Sequence, residues 1–83
     1  MVKGRRLSLE ILENTFLFVW QSGSLYRASQ LSGMSHSALH YRMGVFENYL
    51  NSKLFEEGGQ LSPIAEKIIL ANKRQIVPGM IYE

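Results

Sequence analysis

Between Gly33 and Gly44 the sequence GMSHSALHYRMG sets two serines, two histidines, a tyrosine and an arginine within twelve positions. Three chemistries use such a set. Gly33-Met34-Ser35-His36-Ser37 carries part of a nucleophile elbow, in which a serine on a tight strand-to-helix turn attacks a carbonyl. The second glycine is missing, however, and the preceding segment reads as helix. With no aspartate in the chain, only a distant glutamate could orient a histidine base. A capping role explains Ser35 more simply. His36 and His40 stand four apart, the helical spacing that puts two imidazoles on one side for zinc. A catalytic zinc needs a third protein ligand and a structural one a fourth, yet these are the only histidines and cysteine is absent. We expect no metal, no cofactor and no catalysis. The third chemistry is groove contact. Two helices joined by a tight glycine turn, the second presenting small and hydrogen-bonding side chains, suit the major groove of duplex DNA.

The flanking elements must then position that second helix. Ser8 is a good N-cap, and Leu9, Leu12, Phe16, Val19 and Trp20 recur at helical spacing until Ser22-Gly23. Phe16 and Trp20 are expected in the core, on the apolar side of this first helix. Ser24 caps a short second helix in which Leu25, Ala28 and Leu31 are expected to face inward and Tyr26, Arg27 and Gln30 outward. Gly33, free to take positive φ, ends it. Ser35 caps a third helix whose stripe Leu39, Met43, Phe46 and Leu50 is core. Ser37, His40, Tyr41, Gly44 and Asn48 point the other way. Asn51-Ser52 is a helix stop. A small hairpin is predicted from strand Lys53-Leu54-Phe55, turn 56–60 and a return through Leu61. Ser62-Pro63 opens a fourth helix reaching roughly Ile76, with Pro78-Gly79 after it. That helix bears a wider apolar surface than one side of a small core needs, so part of it is expected to meet another chain. The apolar Met80-Ile81-Tyr82 either folds back or joins that interface.

Length and composition bound these readings. At 83 residues without an internal repeat the chain is one small domain, near the lower limit for a single core without disulfides. Its longest apolar run, Phe16 to Trp20, is far too short to span a bilayer. Lys3, Arg5 and Arg6 mimic the start of a signal peptide, but Glu10, Glu13 and Asn14 interrupt what should be its apolar stretch, so a cytoplasmic location is expected. Those three cations read equally as a phosphate-binding arm or a solvated terminus. A net charge of +2 permits nucleic-acid binding without indicating it.

The stretch FLFVWQSGSLYRASQLSGMSHSALHYRMGVFENYLNSKLFEEGGQLSPIAEKI resembles the N-terminal winged helix-turn-helix domain of LysR-type transcriptional regulators and, more distantly, that of molybdate-responsive regulators. The specific matches are Ser22-Gly23-Ser24, Ala28-Ser29, Gly33-Met34-Ser35, Ser37-Ala38-Leu39, Glu47, Leu54-Phe55-Glu56 and Leu61-Ser62-Pro63. The resemblance spans approximately residues 8 to 72. It implies a mainly α fold, with a three-helix core, a short β-hairpin wing and a C-terminal dimerisation helix, over a single domain with core 8–62, helix 63–76 and tail 77–83. It further implies sequence-specific binding of double-stranded DNA by a small bacterial, phage or plasmid-encoded regulator acting as a homodimer. His36, Ser37, His40 and Tyr41 fall on base-reading positions. Ser24 and Arg27 fall on phosphate positions, with Arg42 beside the reading face and Lys53 able to reach the backbone. Ile64, Ile68, Ile69, Ala71 and Ile76 are the expected dimer contacts.

Three departures qualify what the resemblance implies. The wing, Glu56 to Gln60, is short and carries two carboxylates where arginine is usual, which argues against minor-groove contact. Gly44 interrupts the reading helix at about 1 kcal/mol relative to alanine, for close packing or for a bend. The family's effector-binding domain is expected to be absent, and with it the usual route by which a metabolite is sensed. With its start at Met1 and its non-helical tail, the chain reads more as a self-contained regulator than as an excised domain. A second function class stays open: an antirepressor or adapter that uses the fourth helix and the tail to dock on a protein partner.

Overall fold

The computed structural model describes residues 7–72. Ile76 and the 77–83 tail, named above as contacts, lie outside the described residues, as do Lys3, Arg5 and Arg6. Four helices follow in order: α1 (Leu9–Ser22), α2 (Leu25–Ser32), α3 (His36–Leu50) and α4 (Pro63–Ala71). Each begins on a serine. The hydroxyls of Ser8, Ser24, Ser35 and Ser62 accept from the backbone N–H groups of Ile11, Arg27, Ala38 and Ala65 at 3.0–3.2 Å. One otherwise orphaned donor is thereby satisfied at every helix start, worth typically about 1 kcal/mol apiece.

The stops are equally local. Gly33 (φ 81°) ends α2 in the left-handed region, which costs an L side chain, and its N–H donates to Ser29 O at 3.1 Å. Asn51 (φ 55°) ends α3 as expected from its short polar side chain.

α1, α2 and α3 pack around Phe16, Leu39, Phe46 and Leu54, all fully buried. The Phe16 ring meets Phe46 at a centroid distance of 6.3 Å and Phe55 at 5.9 Å, both tilted. Truncating an aromatic so placed costs about 3–5 kcal/mol, a large part of a small domain's stability. Trp20 is only half-buried against this core, so its expected place is met in part.

Leu31 departs from expectation: it is 63% exposed. Steps of three residues wind back by about 60° each, so Leu25, Ala28 and Leu31 fan over about 120°. Eight-residue α2 buries only the part around Ala28. Ser29 takes up an inner position instead, its hydroxyl donating to Met34 O at 2.8 Å.

The predicted hairpin shrinks to one antiparallel bridge, Phe55 with Leu61. Glu56 N donates to Gln60 O at 2.7 Å and Ser62 N to Leu54 O at 2.9 Å, fixing the register. The reciprocal bonds are diverted. Leu54 N donates to the Glu47 carboxylate at 2.9 Å, and Ser62 O accepts from Glu66 N in the first turn of α4. At the tip, Glu57–Gly59 forms a 3₁₀ turn with Gly58 and Gly59 both at positive φ. Among the described residues there is thus a closed loop but no β-strand.

Candidate nucleic-acid interface

The turn between α2 and α3 is held by serines. Ser29 Oγ donates to Met34 O, Ser32 Oγ accepts from Met34 N at 3.0 Å, and Ser35 Oγ caps α3. Met34 between them is half-buried against the core. The start of α3 is therefore fixed in direction before any ligand arrives. Ser35, the residue of the elbow-like pattern, spends its acceptor on Ala38 N.

From that start α3 buries Leu39, Met43 and Phe46 and turns its other side outward. His36, Ser37, His40 and Tyr41 are all exposed, Tyr41 at 66%. Ser37, Tyr41, Gly44 and Asn48 follow one another at helical spacing along a single outer row, with His36 and His40 on the neighbouring one. The four expected reading residues thus share one continuous surface over the first two turns, and no part of the described chain covers them.

The expected phosphate contacts divide. Ser24 and Arg27 are exposed at the start of α2, and the Ser24 hydroxyl, already accepting from Arg27 N, keeps its own hydrogen to donate. Lys53 is exposed beyond the end of α3. Arg42 lies on the flank of α3 toward α1. Half-buried, it donates through Nη1 to Thr15 Oγ1 at 3.3 Å, while Thr15 donates to Ile11 O at 2.7 Å. Sequence reasoning missed Thr15, a polar group on the apolar side of α1 that is satisfied within its own helix.

Charge at the helix ends is arranged unevenly. α1 and α4 carry Glu10 and Glu66 in their first turns, whereas α2 and α3 have no acid there. The positive ends of those two dipoles remain uncompensated and favour an anion. The bridged loop, with exposed Glu56 and Glu57, repels one.

On α4, Ile64, Ile68 and Ile69 are half-buried, the latter two against the core, and Ala71 is exposed. Leu70, outside the expected contact set, is 66% exposed. With Trp20, Leu61, Glu66 and Ile69 it lines a shallow depression. Among the described residues no helix is long and apolar enough to cross a membrane, and no three acidic or histidine side chains gather to hold a metal ion.

Three helices around one core, the second and third joined by a tight left-handed turn, with the third bare on its outer side, define a helix-turn-helix protein. Residues 13–66 match the family model for bacterial regulatory helix-turn-helix proteins of the LysR family, and the chain belongs to that family. The family is regulatory and DNA-binding rather than enzymatic. Neither the curated proteins nor the solved structures give a match.

Proposed function

We propose that the chain is a sequence-specific regulator of transcription that lays α3 in the major groove of duplex DNA and acts as a dimer. The observation that carries this reading is the bare surface formed by His36, Ser37, His40 and Tyr41 on a helix whose opposite side is core. These side chains offer hydroxyl, imidazole and phenol groups to base edges, where sequence is read. Ser24, Arg27, Arg42 and Lys53 take phosphates. The acid-free starts of α2 and α3 support the same arrangement, and the acidic loop stays clear of the minor groove.

One copy neutralises few phosphates, so its affinity is modest at physiological salt. Pairing through α4, by Ile64, Ile68, Ile69 and Ala71 with Leu70 among them, would set two α3 helices in successive major grooves about 34 Å apart and favour a two-fold symmetric site. Selection of bound sequences from a random duplex pool tests both claims. Enrichment of an inverted repeat with half-sites about one helical turn apart is the expected result. A pool that stays random, or absence of binding at low salt, would sink it.

A further inference from the structure

Gly44 is the residue of α3 that nothing among the described residues explains. It lies mid-helix, where glycine costs about 1 kcal/mol relative to alanine. Two internal reasons for it were available, close packing and a bend. A Cβ built at Gly44 meets nothing within 4 Å, so no neighbouring element among the described residues needs the space. α3 runs as continuous helix from His36 to Leu50 and Gly44 is absent from the positive-φ residues, so neither a break in the helix nor a left-handed conformation calls for it. The gap faces outward, on the row of Ser37, Tyr41 and Asn48.

Resting on the DNA reading above, we infer that Gly44 is the notch where the sugar-phosphate backbone of one DNA strand crosses α3, and that Asn48 beyond it contacts the same strand. The dimensions agree. At 1.5 Å per residue Gly44 lies about 10 Å along the axis from Ser37, and the major groove is about 12 Å wide. Side chains at 36–41 therefore occupy the groove floor while the helix reaches the groove wall near 44. With side chains a helix is about 10–12 Å across, as wide as the groove, but its Cα cylinder has a radius of about 2.3 Å. A missing side chain at the wall lets the strand sit against the helix backbone. Exposed Asn48, one turn further on the same row, brings an amide N–H₂ to a phosphate oxygen there.

Phosphate contacts fix register and carry no sequence information, which separates this site from the reading residues. G44A, G44L and N48A are compared with wild type by gel shift on a selected duplex and on a random-sequence duplex, with Y49A as an exposed control on another side of α3. G44A is expected to weaken binding about tenfold and G44L about a hundredfold, equally on both duplexes, as steric overlap of growing size does. N48A should weaken both alike, and Y49A neither. In parallel, G44A should raise Tm by about 4–8 °C, which keeps the loss of binding apart from loss of fold. Wild-type affinity in G44L, a loss confined to the selected duplex, or a lowered Tm in G44A would each overturn the assignment. If wild type binds neither duplex at low salt, the DNA reading itself falls and takes this one with it. If wild type binds and G44L binds as well, only the notch is lost.

Discussion

The carboxylate of Glu47, near the end of α3, accepts from the backbone N–H of Leu54 at 2.9 Å, and so takes the donor that a β-hairpin would have used. One side chain thereby ties α3 to the loop that follows it and shortens that loop's pairing to a single bridge. Since Leu54 is fully buried, its N–H has no water to turn to.

E47A should therefore lower unfolding stability by about 1–3 kcal/mol, the cost of leaving a buried donor unpaired. E47Q, which keeps an acceptor oxygen but loses the charge, should fall by roughly half as much. Urea unfolding midpoints of the two variants test this; an E47A midpoint equal to wild type would contradict it.

Changes at Ser37, His40 or Tyr41 should erode the preference for a selected duplex over random DNA while leaving random binding nearly as it was. R27A should weaken both equally and reduce the salt slope of log K by about 0.9, one phosphate's share. Gel shifts across a salt series separate the two patterns.

Thr15 anchors Arg42. R42A should weaken binding to any duplex and flatten the salt slope by about 0.9. T15V leaves the guanidinium in place but frees it from α1, so its slope should stay at the wild-type value with a smaller loss of affinity. The lost hydrogen bonds at Thr15 should cost about 1 kcal/mol in stability. Equal slopes for wild type and R42A would show that Arg42 serves only to dock α3 on α1.

A glutamate in place of exposed Leu70 puts a charge in the shallow depression that it lines with Trp20, Leu61 and Ile69. L70E should sediment as a monomer at concentrations where wild type pairs, and its affinity for a symmetric duplex should drop by about a hundredfold or more as linkage between half-sites is lost. Analytical ultracentrifugation with matched gel shifts decides it, and dimeric L70E would move the interface elsewhere.

What the sequence disclosed follows from range. Serine caps and the left-handed Gly33 and Asn51 are written within three or four residues of the bonds they make, so all four helix starts and the α2–α3 turn were legible. The outward row of α3 followed from periodicity. Leu31 was misplaced because three apolar residues at steps of three look like a stripe yet spread too widely for a short helix. The hairpin was overdrawn because its missing bonds go to Glu47 and Glu66, partners on other elements that no local pattern reveals. Thr15, as the partner of Arg42, lies 27 positions away and was hidden for the same reason.

The capping residues that start and stop the helices lie at the junctions, and none of them coincides with positions 36, 37, 40, 41 or 44. On the DNA-binding function proposed above, folding and target choice are thus specified by separate vocabularies in the same short chain. Selection could replace the outer row of α3 wholesale, acquiring a new operator without first repairing a damaged fold.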